Sequence, residues 1–189
     1  PEHIVTNADL EEMMDTRDEW IRTRSGIQER RWVKVGEGAS DLSIIASESA
    51  MANAGVKSSD IDMVIAATVS SDYYFPGVAV QLQEKMGMDT IGAFDLRVGC
   101  SAFIYGLSVA DQFIKTGQCK TILLVGTDVL STVLEKDPIG RDVGVLFGDG
   151  AGAVILQPSE NDSGVLSTHM HSDGKYMKEL WVELPGSKF

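Results

Sequence analysis

The sequence is short of cysteine, of basic charge and of long apolar runs, and each shortage removes a class of protein. Two cysteines, Cys100 and Cys119, in 189 residues do not make a disulfide framework. A reducing compartment is expected, so a cytoplasmic location. There are 16 Lys and Arg against 28 Asp and Glu, a formal charge of −12. Duplex nucleic acid demands clustered cations, so no nucleic-acid partner is expected. A local basic pocket for a phosphorylated small molecule stays open. No apolar run approaches a bilayer span, and no membrane partner is expected. Pro1-Glu2-His3-Ile4 lacks a basic region followed by an apolar core, so it does not read as a secretory leader. It also lacks an initiating Met, which suits a trimmed or processed chain.

What is present is a globular composition, 43% hydrophobic and 23% charged, without linker, repeat or low-complexity tract. Residues 1–189 therefore read as one unit. Asn7 is expected to cap a short helix through Leu10, Met13 and Met14. Thr16-Arg17-Asp18-Glu19 matches a capping box that opens a second helix carrying Trp20 and ending at Gly26. Ile27–Val35 reads as an exposed strand or hairpin arm, and Gly36-Glu37-Gly38 as a turn. Ser40 is expected to cap a longer helix with Leu42, Ile45 and Ala46 on its apolar face and Gly55 at its end.

A strand–helix rhythm follows. Met63–Val69, Ile91–Leu96, Thr121–Thr127, Ala153–Leu156 and Val165–Met170 are expected strands. Helical spacing links Val78, Ala79, Leu82 and Met86, and again Phe103, Ile104, Leu107, Ala110 and Ile114. Ser159–Gly164 is a surface turn. The alternation implies an α/β fold, with a parallel or mixed sheet covered on both faces.

Cys100 follows one of these strands and a tight turn, Arg97-Val98-Gly99, and opens the helix Ser101–Thr116. A free thiol has a pKa of about 8.5, and a helix N-terminus or nearby cation such as Arg97 lowers it. Such an elbow also exposes the sulfur at the C-terminal edge of a parallel sheet, where open α/β folds bind ligands. A nucleophile and a small buried core residue both fit this position. Cys119, at the foot of a strand, reads as structural.

Four segments carry a resemblance. They are Thr6-Asn7-Ala8-Asp9-Leu10 with Asp18-Glu19-Trp20-Ile21 and Arg24-Ser25-Gly26-Ile27; Phe94 to Phe103 continuing through Tyr105-Gly106-Leu107-Ser108-Val109-Ala110-Asp111; Phe147-Gly148-Asp149-Gly150-Ala151-Gly152-Ala153; and Ser167-Thr168-His169-Met170-His171-Ser172-Asp173-Gly174. In this order and spacing they resemble the β-ketoacyl-acyl-carrier-protein synthase III family of thiolase-fold condensing enzymes. The resemblance implies one of two pseudo-duplicated halves of a five-layer αβαβα fold. The first strand would precede Pro1, and the second half, with the family's catalytic His and Asn, would follow Phe189. Residues 1–189 alone are then expected to be inactive in condensation.

The same resemblance makes Cys100 the acyl acceptor from a short acyl-CoA, with malonyl-acyl-carrier protein as the second substrate and no cofactor beyond the CoA thioester. Thr16, Trp20, Arg24 and Arg141 match positions that hold CoA; taken alone, Trp20 reads as a packing residue and the arginines as solvated. Phe147 would line the acyl pocket. Phe75, in the aromatic loop Tyr73-Tyr74-Phe75-Pro76-Gly77, would reach the partner's pocket in a homodimer. Relatives making quinolone or polyketide starters, and a non-catalytic CoA-binding fragment, are the alternative readings. Gly148-Asp149-Gly150-Ala151-Gly152 precedes a strand, not a helix, so close backbone packing suits it better than a nucleotide loop. His169 and His171 would share a strand face, but with Asp173 they lack a further strong ligand, so no metal is expected.

Overall fold

A computed structural model describes residues 1–161, 163–183, 186 and 187; Phe189, where the resemblance places the break before a second half, lies outside them, as does Asp162 within the expected surface turn. Four strands form a mixed sheet in the order β4-β3-β5-β6. These are β3 (Met63–Ala67), β4 (Gly92–Leu96), β5 (Ile122–Val129) and β6 (Asp149–Leu156). The first three run parallel, and β6 is antiparallel to β5. The strand period of two splits the core. Val64, Ala66, Leu123 and Val125 face a cluster with α3 (Ala39–Ala54) and α4 (Val78–Lys85). Ile65, Ile122 and Leu124 face α5 (Ala102–Lys115). Every residue of β3 is buried, the pattern of a strand covered on both faces.

A third cluster lies under the N-terminal hairpin. There β1 (His3–Thr6) pairs antiparallel with β2 (Glu29–Trp32). Val5, Leu10, Ile21, Trp32 and Val145 pack together, joining α1 (Asn7–Glu11), α2 (Asp18–Ser25) and the residue after α6 (Arg141–Gly144).

The structure corrects several expectations. Thr6, not Asn7, caps α1: its hydroxyl accepts from Asp9 N, and the Asp9 carboxylate accepts from Thr6 N. Asn7 is buried, and its side chain bonds distant groups instead. Thr16 makes no capping box; Arg17 is the cap residue of α2, and the Glu11 carboxylate accepts from Asp18 N at 2.6 Å. The strand expected over Ile27–Val35 shortens to β2, and Arg30 and Trp32 alternate inward from it.

Gly38 replaces Ser40 as the cap of α3, whose buried face is Leu42, Ser43, Ser47 and Met51. Ile45 points out at 64% exposure, because the small serines let α3 settle closely on β5 and β6. Gly26 and Gly55 end α2 and α3 at φ 76° and 68°, the left-handed caps expected of glycine. Val165–Met170 forms no strand and leaves Leu166 86% exposed; among the described residues no strand edge pairs with it. β6 starts earlier than expected, so the glycines of the 148–152 motif after Gly148 lie inside the strand.

Candidate active site

The thiol of Cys100 is exposed on a 3-10 turn, Gly99–Ser101, two residues after β4 and directly before α5. The helix therefore begins one residue later than the sequence suggests. Gly99 takes φ 58°, a left-handed conformation that a side chain would strain. Ser101 Oγ donates to Val98 O at 3.0 Å and holds the turn. Arg97 is exposed and takes no ion-pair partner among the described residues.

Cys100 lines a cavity of about 310 Å³ at the C-terminal ends of β3 and β5, with Phe103, Gly126, Asp128, Gly150 and Gly152 among its walls. That is the ligand-binding edge of an open α/β sheet. Asp128 is locked in place: its Oδ1 accepts from Val69 N at 2.9 Å, Ser70 Oγ at 2.9 Å and Thr68 Oγ1 at 3.2 Å. The glycine motif divides. A Cβ on Gly148 would meet Arg30 and the Arg31 backbone near 3.0 Å, so close packing explains that glycine. Gly150 and Gly152 have open space where a Cβ would stand. Packing does not explain them; they leave the cavity beside Cys100 unfilled. Phe103, Asp128 and these two glycines are site residues that motif reading missed, since only the fold brings them to one place.

Cys119 is 6% exposed, and burial, then the charge of Asp62, push its thiol pKa up. A buried thiol held protonated is a poor nucleophile.

Trp20, Arg24 and Arg141 come together although they lie far apart in sequence. The Arg24 guanidinium sits 4.5 Å from the Trp20 ring centroid and that of Arg141 sits 4.3 Å from it. Arg141 also donates to Asp15 O at 2.9 Å. An aromatic face with two forked cations suits a purine bearing phosphates. Thr16 lies buried nearby in sequence, and its hydroxyl makes no hydrogen bond among the described residues.

Phe75, expected to reach a partner's pocket, and Phe147 are placed as follows. Phe75 is 85% exposed at the tip of its loop, beside Tyr73 and Tyr74, and does not line the Cys100 cavity. Phe147 is half-buried just before Gly148 and is also outside the cavity lining. His169 and His171 are exposed on the irregular 165–173 segment, which touches α5 through Tyr105 Oη to His171 O and Ser108 to Thr168. Without a strand there is no shared face, and no cluster of three metal-binding side chains occurs among the described residues. A larger polar recess of about 510 Å³, lined by Asp41, Asp72 and Lys85, lies apart from Cys100 and contains no cysteine or histidine.

Comparison with known proteins decides the family. The family described as 3-oxoacyl-[acyl-carrier-protein (ACP)] synthase III matches residues 94–174, the stretch that holds Cys100 and the glycine motif. A β-ketoacyl-[acyl-carrier-protein] synthase III of Vibrio vulnificus is 48% identical over 98% of this chain. The chain belongs to the synthase III family. It spans 58% of the length of that synthase III relative. A solved synthase III from Aquifex aeolicus is 40% identical, with a TM-score of 0.88 over 93% of this chain and 56% of its own. The synthase III of Pseudomonas aeruginosa superposes with a TM-score of 0.92 at 33% identity, covering all of this chain and 58% of its own. The α/β sheet described above is therefore thiolase-like, as in these solved structures. No helix of the described residues is long and apolar enough to cross a membrane.

Proposed function

We propose that this chain carries the acyl-accepting site of a β-ketoacyl-acyl-carrier-protein synthase III that starts fatty-acid synthesis in the cytosol. The single observation that carries the reading is the placement of Cys100, exposed at the head of the 14-residue α5 and facing a cavity, against a buried Cys119. The Cys100 thiolate attacks the carbonyl of a short acyl-CoA, with acetyl-CoA the expected starter. The tetrahedral oxyanion leans on the Cys100 backbone N–H, the C–S bond to CoA breaks, and CoA leaves as a thiolate that takes up a proton. Malonyl-acyl-carrier protein then loses carbon dioxide. Its enolate carbon attacks the acyl-cysteine, the new C–C bond replaces the C–S bond, and the Cys100 thiolate returns. No cofactor beyond the CoA thioester takes part. Trp20, Arg24 and Arg141 hold the nucleotide end of CoA, with Thr16 beside them.

Condensation belongs to the longer protein. Stabilising the enolate needs preorganised donors, and residues 1–189 by themselves are expected to be inactive in condensation. The test supplies acetyl-CoA and malonyl-acyl-carrier protein to the full-length protein. Wild type should yield the β-ketoacyl product and Cys100→Ala none. Product from the variant near the wild-type rate would overturn the assignment.

A further inference from the structure

Arg30 is the one arginine that the fold buries among the described residues, at 7% exposure. All its hydrogen-bond partners are neutral. Nη2 donates to Asn7 Oδ1 at 2.9 Å and to Val145 O at 3.1 Å, and Nη1 donates to Val5 O at 3.3 Å. A buried guanidinium without a carboxylate is costly, and an apolar side chain of similar size would fill the same space at lower cost. What such a side chain could not do is hydrogen-bond three oxygens from three segments at once.

Those segments matter. Val145 directly follows α6, which begins with Arg141. Asn7 passes the connection on: its Nδ2 donates to Asp18 Oδ1 and to Ile27 O, both at 2.8 Å. Asp18 is the first residue of α2, and Ile27 comes just after its Gly26 cap. One amide therefore grips α2 at both ends, and one guanidinium ties that amide to the end of α6. Trp20 and Arg24 ride on α2, Arg141 on α6, and they meet at the Trp20 ring. Trp20 also rests on the cluster formed by Val5, Ile21, Trp32 and Val145.

The geometry points to Arg30, acting with Asn7, as a positioning residue that sets the spacing of α2 and α6 and so the stacking of Arg141 on the Trp20 ring. This rests on the reading of that stack as part of the seat of the CoA nucleotide. The pair touches neither thioester nor thiol, so it serves only substrates that carry the nucleotide.

The experiment follows acylation of Cys100 in the full-length protein by two donors, acetyl-CoA and S-acetyl-N-acetylcysteamine, which has the thioester but no nucleotide. In Arg30→Lys, which keeps the charge but loses the planar fork, acetyl-CoA should need about tenfold more substrate for half-maximal rate, equal to about 1.4 kcal/mol. The short thioester should react within about twofold of wild type by the same scale. Asn7→Asp keeps volume but turns the donor facing Asp18 into an acceptor, and it should show the same split. Equal losses for both donors in both variants would overturn the proposal, because a purely structural network damages the thiol as much as the clamp. Unchanged acetyl-CoA kinetics would also overturn it. A wild-type protein that shows no preference for acetyl-CoA over the short thioester removes the nucleotide seat itself, and the proposal with it.

Discussion

Replacing Asp149 with alanine should be among the most destabilising single changes in this chain. Its carboxylate is 7% exposed and fully used. Oδ1 accepts from Leu130 N and Ser131 N, both at 2.8 Å, and Oδ2 accepts from Val33 N at 2.7 Å and from the Ser131 hydroxyl. It joins the start of β6 to the loop leaving β5 and to the segment leaving β2. Alanine strands three backbone donors. At about 1–3 kcal/mol for each donor left unpaired, with the low end for the part-buried pair and the high end for buried Ser131, the loss is about 5 kcal/mol. With a urea slope of about 2 kcal/mol/M, the unfolding midpoint of the full-length protein should fall by about 2.5 M. Asp149→Asn keeps Oδ1 for Leu130 and Ser131 but turns a donor toward Val33 N, so it should lose about half as much. Asp149 stands between Gly148 and Gly150, two walls of the Cys100 cavity, so acylation should fall in the alanine variant as well. A midpoint shift below about 0.5 M, roughly 1 kcal/mol by the same slope, would refute the reasoning that this carboxylate holds the three segments together.

Trp20→Ala and Arg141→Ala should each weaken acyl-CoA binding by about 1–2 kcal/mol, roughly tenfold, the loss of a stacked cation and its aromatic face; alkylation of Cys100 by iodoacetamide should stay unchanged, and unaltered CoA affinity in both variants would refute the clamp. The full-length enzyme should be a homodimer by sedimentation at micromolar concentration, because Tyr73, Tyr74 and Phe75 are 61%, 78% and 85% exposed and burying one such ring is worth about 1.5–3 kcal/mol; a monomer with full activity would refute it.

Much of the sheet was legible because β3 is an unbroken apolar run and β5 opens with Ile122-Leu123-Leu124-Val125, which a strand covered on both faces explains. The Cys100 elbow was legible for a related reason: the switch from strand period to helix period brackets the cysteine. Other features depend on partners that a local pattern does not contain. Thr6 and Asn7 are both good caps by residue type, and what separates them is Arg30, 23 residues further on, which needs the Asn7 amide. The face of α3 was misjudged because Ser43 and Ser47 are buried for their small size, while Ile45 faces out. Val165–Met170 has strand composition, but composition does not supply an edge to pair with. The meeting of Trp20, Arg24 and Arg141 was expected from family resemblance alone; no spacing rule links α2 to α6.

The central claim is that Cys100 takes the acyl group. Incubating the full-length protein with acetyl-CoA, then mapping its peptides by mass spectrometry, tests it most directly. The acetyl group should appear on the peptide holding Cys100, should vanish in Cys100→Ala, and should be absent from Cys119, whose thiol is buried and held protonated. Acetylation at Cys119, or none at Cys100 in active enzyme, would contradict the account.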